Sequence, residues 1–289
     1  MADMMRYLTK QKLEWLIADA GLYVSAAEHP MDEYEGVSDQ TYLSTYQAQN
    51  VKDVDPQLLT DLDKLMLDMQ DVGRKKNFLS CWYLGTEENH EMWDEYGTEG
   101  VILFTEEWRL MDAFAEPLEH ALEGYPVTYD DALKAGAPHD PLRVKHEKYH
   151  KEKEFRVVFS LSRYSILTGF ESMGGRDGDR LTHESPIITV CMSPEGHTQA
   201  RKVIRGKNLG LVLDFNFGRA IREVRVHPSA TDEELRDVEK RLLSIGFTCP
   251  VNHSQLRRDN YSEAATLPNK GLGAPDSIPA QAQDKRPTA

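Results

Sequence analysis

The chain has 289 residues, 40% hydrophobic and 28% charged, with 48 acidic against 34 basic side chains and a formal net charge of −14. That balance is ordinary for a globular protein with a substantial core, and its acidity opposes nucleic acid as a standing partner. No apolar run approaches the roughly 18 residues of a membrane span, and MADMMRYLTK lacks the pattern of a secretory leader. The expectation is a cytoplasmic protein with no membrane partner.

In chain order, Leu13, Leu16 and Ile17 recur at helical spacing between Thr9 and Ala20, with Gly21 where a C-cap would sit. Leu22 to Ser25 reads as a strand, followed by the loop EHPMDEYEG, punctuated by Pro30 and Gly36. Pro56 to Val72 carries a leucine and methionine stripe with acidic residues between, an amphipathic helix. NFLSCWYL, Asn77 to Leu84, and Val101 to Phe104 read as two strands of one sheet, and a further strand, Phe155 to Leu161, opens directly after KEKE. Pro186 to Met192, Leu209 to Phe215 and Ile221 to Val226 also read as strands. Asp232 to Ser244 reads as a helix capped by Thr231, with Glu234 at the capping-box position.

Helices and strands mix without regular βαβ alternation, which predicts an α+β fold. We expect a single domain over residues 1–257 with a mixed, mostly antiparallel sheet core. From Arg258 the chain turns to proline, alanine and polar residues without apolar periodicity, which predicts a disordered tail over 258–289. Cys81, Cys191 and Cys249 are widely spaced with no C-x-x-C pair and read as buried small hydrophobes.

The segment RVKHEKYHKEKEFRVVFS, Arg143 to Ser160, holds a literal H-E-x-x-H in His146, Glu147 and His150. On a helix that spacing turns both imidazoles toward one zinc ion, with the glutamate activating its water, so a zinc metallohydrolase is one alternative. Lys145, Lys148, Lys151 and Lys153 would crowd a dication, however, and a strand begins five residues after His150. A charged surface turn with two solvated histidines is the plainer reading.

Read a few residues on, Tyr149, Glu152, Lys153, Glu154, Phe155 and Arg156 give Y-x-x-E-K-E-F-R. This resembles a motif of the bacterial and phage family known as domain of unknown function 2971. MRYLT with LYVSAAEHPMDEYEG, the Trp93, Tyr96, Gly100, Val101 segment, and IREVRVHPSATDEELRDVEKRLLSIGFTCPVNHSQLR are similar to its other segments in the same order. The resemblance covers about Met5 to Arg257 and departs from the family at Met31 and Glu33. It implies one α+β domain and a setting in phage–host conflict.

A more distant resemblance is to ADP-ribosyltransferases, which carry Arg or His on a first strand, Ser, Thr or Tyr on a second and a Glu at the start of a third. It implies split sheets, NAD as substrate, and transfer of ADP-ribose to an unidentified acceptor or hydrolysis of NAD. It also implies Glu154 and Glu152 as catalytic carboxylates, with Arg6, Thr9, Trp93 and Tyr96 binding the ligand: Arg6 on the diphosphate and Tyr96 or Trp93 on nicotinamide. Carboxylates suit a glycosidic bond that breaks with cationic character, and two residues apart on a strand Glu152 and Glu154 share a face. The alternative is a non-catalytic binding or regulatory protein, in which E-K-E-x-R is an ion-pair ladder and Trp93 and Tyr96 are a core-facing helical pair.

Overall fold

A computed structural model describes residues 2–28, 73–131, 140–168 and 202–256, with isolated positions 57, 60, 61, 64 and 68, and twelve strands lie among these described residues. They are β1 (Asp3–Leu8), β2 (Leu22–Ala26), β3 (Asn77–Leu84), β4 (Val101–Glu106), β5 (Leu122–Pro126), β6 (Thr128–Tyr129), β7 (Val144–Lys145), β8 (Glu154–Ser160), β9 (Ile204–Lys207), β10 (Gly210–Leu213), β11 (Glu223–Val226) and β12 (Val251–His253). Ten of them form one sheet, ordered β12-β11-β4-β1-β3-β2-β10-β9, with β8 pairing β3 and β5 off that path. Every pairing in it is antiparallel except β11–β12, while β6 and β7 form a separate parallel pair. The fold is therefore α+β, with a mixed, mostly antiparallel sheet.

The sheet forks at β3. Along one edge β8 pairs with it from Asn77 to Tyr83. On the other edge β1 meets only Tyr83 and Leu84, and β2 meets only Phe78 and Leu79. Residues 80–82 are paired on that edge by neither strand, so β1 and β2 diverge and leave a gap between them.

Apolar alternation sets the two faces of this sheet. On one, Met4, Leu8, Phe78, Trp82, Leu103, Phe155 and Val157 join the main core; on the other, Met5, Tyr7, Tyr83, Ile102 and Phe104 pack with Trp93. Helix α1 (Lys10–Asp19) buries Leu13 and Leu16 and starts at Thr9, whose hydroxyl accepts the Lys12 backbone N–H. The predicted capping box is present at Asp232–Leu243, where Thr231 and Glu234 bond reciprocally.

The predicted strands Asn77–Leu84 and Val101–Phe104 do share the sheet, the second running on to Glu106, but β1 lies between them. Ala20, not Gly21, takes the left-handed turn after α1, at φ 46°. Gly21 serves packing instead: a Cβ there would stand 2.6 Å from Val212 Cγ1 and 2.8 Å from the Leu213 carbonyl oxygen. The polar run before Val101 contains helix α2 (His90–Tyr96), capped by Asn89, whose side chain accepts from Glu91 N–H. The Pro56–Val72 helix apart from its isolated positions, the 186–192 strand, the loop at Pro30–Gly36, Cys191 and the tail from Arg258 lie outside the described residues. Among the described residues no helix is long and apolar enough to cross a membrane.

Candidate functional site

The fork opens into a cleft of about 510 Å³. β1 contributes Arg6, β3 contributes Cys81 and Trp82, and α2 contributes Glu95 and Tyr96. Lys145 of β7, Tyr149 and Glu152 of a 3₁₀ turn, and Glu154 at the start of β8 complete the acidic wall. A cleft of this size with a few convergent polar groups has the character of a small-molecule site.

On the acidic wall Lys145 Nζ donates to Glu152 Oε2 and to Glu154 Oε2, each at 2.8 Å. Arg156, fully buried, donates from Nε to Glu154 Oε1 at 2.6 Å and from Nη1 to the Leu142 carbonyl at 2.7 Å. The Tyr96 hydroxyl donates to Glu152 Oε1 at 3.1 Å, and the Tyr129 hydroxyl accepts the Glu154 backbone N–H at 2.8 Å. Burial works against the Lys145 charge, but Glu154 and Glu152 outweigh it and raise the ammonium above its ordinary value. Burial and the adjacent Glu152 hold the Tyr96 phenol protonated well above its usual range.

Arg6 of β1 and Lys12 of α1 line the same cleft. The Arg6 guanidinium stands 5.6 Å from the centroid of the Trp82 ring. Neither Arg6 nor Lys12 has a carboxylate partner among the described residues. Burial lowers the pKa of Arg6, and burial followed by the neighbouring Arg6 charge lowers that of Lys12. In a chain with a formal charge of −14, two adjacent cations without a carboxylate partner among the described residues have the charge that suits an anion.

Cys81 departs from the expected buried hydrophobe. Its side chain is solvent-accessible at the floor of the cleft, where the fork leaves β3 uncovered, while Cys249 is half-buried. Enclosure by the cleft walls and the negative Glu154 hold the Cys81 thiol protonated well above its ordinary range.

The structure brings Arg6, Tyr96, Glu152 and Glu154 into one cleft and places two other expected residues elsewhere. Thr9 caps α1. Trp93 is fully buried outside the cleft, its indole N–H bonded to Glu88 at 3.0 Å and its ring edge-on to Tyr7 and His227. Glu152 and Glu154 meet by a different route from a shared strand face. Lys153 between them takes a left-handed conformation at φ 39°, so Glu152 ends the 3₁₀ turn and only Glu154 lies on β8. Lys145 draws the two carboxylates together.

HEKYH is not an α-helix. The 3₁₀ turn runs Glu147–Glu152, with His146 before it, so its three-residue period does not align His146 with His150. His146 Nδ1 lies 3.0 Å from Asp131 Oδ1, and the His150 ring packs edge-on to Tyr129. Among the described residues no group of three His, Cys, Asp or Glu side chains converges as metal ligands. The sequence reading also passed over Lys12, Cys81, Lys145 and Tyr149 as cleft residues. Lys12, one helical turn past Thr9, carried a local signal; Lys145 carried none, because its role comes from pairing across the fold.

No protein-family model, curated protein or solved structure matches the chain.

Proposed function

We propose that the fork cleft binds a phosphate-bearing nucleotide, that NAD is this ligand, and that the reaction is cleavage of its nicotinamide–ribose bond by an ADP-ribosyltransferase or NAD glycohydrolase. The observation that carries the reading is a pair of cations, Arg6 and Lys12, without a carboxylate partner among the described residues, in the same cleft as Glu152 and Glu154. The cations suit a diphosphate, the carboxylates suit ribose hydroxyls, and Tyr96 and Tyr149 offer rings to a pyridinium. A sheet that splits around the cleft is also what the resemblance to ADP-ribosyltransferases implies.

In this reaction the bond from the ribose C1′ to the pyridinium nitrogen breaks and its electron pair returns to the ring, releasing neutral nicotinamide. The cationic ribose carbon then takes an oxygen from water or another acceptor, and the displaced proton leaves to solvent. A carboxylate that accepts a ribose hydroxyl stabilises the developing charge. Glu152, the more accessible of the two, takes that place, and Glu154 behind it adds negative potential while fixing Lys145.

A second reading, binding without chemistry, is favoured by one observation: both carboxylates already accept hydrogen bonds from Lys145, with Tyr96 on Glu152 and Arg156 on Glu154. Nicotinamide release from NAD separates the two. The transferase reading expects release by the wild type and a loss of about 100-fold or more in Glu152→Gln and in Glu154→Gln. Saturable NAD binding with no release would favour the second reading, and the accessible Glu152 variant guards against misfolding of the buried Glu154 one.

A further inference from the structure

A second cavity of about 340 Å³ adjoins the first and shares Arg6, Leu8, Lys12, Ser25 and Leu79 with it. Its other walls are one face of α1, Leu22 and Tyr23 of β2, and the turn between β9 and β10. On α1, Lys12, Trp15, Leu16 and Asp19 recur at the spacing that stacks side chains on a single helix face. Asp19 is neutralised by Lys207, whose ammonium lies 2.6 and 2.7 Å from its two carboxylate oxygens. An anion bound at Arg6 and Lys12 would therefore meet no uncompensated carboxylate on this side.

Two apolar side chains on these walls are uncovered. Trp15 is 49% exposed and Leu209 43%, two of the large hydrophobic side chains most open to solvent among the described residues. An indole held at the rim of a cavity whose other boundary is cationic is a stacking surface for an aromatic ring attached to a phosphate. The acidic wall and the indole thus lie on two cavities joined through Arg6 and Lys12.

We propose that the second cavity takes the aromatic base at the far end of a ligand whose phosphates rest on Arg6 and Lys12, so that the paired cavities are built for a pyrophosphate-linked dinucleotide and not a mononucleotide. This rests on the NAD reading above and adds to it a second subsite, at Trp15, for the base remote from the acidic wall. One end carries a hydroxylated ribose to Glu152, the phosphates cross at the two cations, and the second base lies against Trp15.

Calorimetric titration with NAD and with nicotinamide mononucleotide, on wild type, Trp15→Ala and Trp15→Phe, tests it. Stacking on an aromatic side chain strengthens binding by about ten-fold or more, so the wild type should bind NAD at least that much more tightly than the mononucleotide. Trp15→Ala should abolish the difference while leaving mononucleotide affinity unchanged, and Trp15→Phe should retain most of it. Equal wild-type affinities, or a Trp15→Ala variant that keeps the NAD preference, would overturn the second subsite and leave the phosphate site standing. Failure of both ligands to bind the wild type would overturn the nucleotide reading together with this one.

Discussion

Lys145 and Glu154 form an ion pair at 2.8 Å with side chains only 10% and 4% exposed, and the same ammonium holds Glu152 at an equal distance. Removing one partner of such a buried group leaves charge behind without compensation, which costs about 3–5 kcal/mol. Lys145→Met should therefore destabilise by that order, seen as a lower urea midpoint with an unchanged slope. Adding Glu152→Gln should recover part of the loss, because Lys145→Met leaves Glu152 without its cation, whereas Glu154 keeps Arg156 at 2.6 Å. A single variant as stable as wild type would mean the network is not the brace of the acidic wall.

Gly100 tests the placement of β1 beside β4, which fixes where Arg6 stands. A Cβ at Gly100 would fall 1.8 Å from the Leu8 carbonyl oxygen and 2.7 Å from the Thr9 carbonyl carbon, both backbone. Gly100→Ala should cost about 3 kcal/mol or more, above the usual range for overpacking because backbone must move. Gly73, helical with nothing within 4 Å of its added Cβ, is the control. Gly73→Ala should be neutral or stabilising by about 1 kcal/mol or less.

His227 supplies a pH dependence near neutrality. Its ring packs edge-on to Trp93 at 5.2 Å and its Nδ1 lies 2.8 Å from the Ser229 hydroxyl. Burial lowers its pKa below the ordinary 6.5, against the opposing pull of Asp94, Glu99 and Glu234. The unfolded chain then holds the proton more tightly, so this contribution to stability is complete above about pH 6.5 and is lost as pH falls toward the folded pKa. An NMR titration of the His227 ring should show its midpoint below 6.5; a midpoint at or above that value would contradict the burial described.

Much of the sheet was legible because its strands announce themselves locally. FRVVFS and NFLSCWYL are dense in β-branched and aromatic residues, and the two strands pair along nearly their whole length. β5, LEGYP, carries a glycine and a proline, and β9, IRGK, is mostly polar, so each lacks the alternation that marks a strand. Both are held by their neighbours instead.

The site was legible only in part for a related reason. Glu152, Glu154, Tyr96 and Arg6 stand in stretches with recognisable letters, and all four reach the cleft. Trp93 stands three residues before Tyr96 on the same short helix, but it turns into the core and bonds Glu88. Spacing along a helix tells which residues share a side, not whether that side meets a cleft or a core. Lys145 and Cys81 enter only once β7 and the uncovered middle of β3 come together at the fork.

The most direct test of the proposed nucleotide site is calorimetric titration of NAD into the wild type and Arg6→Met, with each protein's urea midpoint measured alongside. Among the described residues Arg6 has no carboxylate partner to lose, and methionine retains an apolar stem beside Trp82, so the unliganded variant should match the wild type in stability to within about 1 kcal/mol. The account predicts saturable single-site binding to the wild type and a loss of about ten-fold or more in the variant, on the scale of one charge-assisted hydrogen bond to phosphate. No binding to the wild type, or equal affinities in two equally stable proteins, would contradict it.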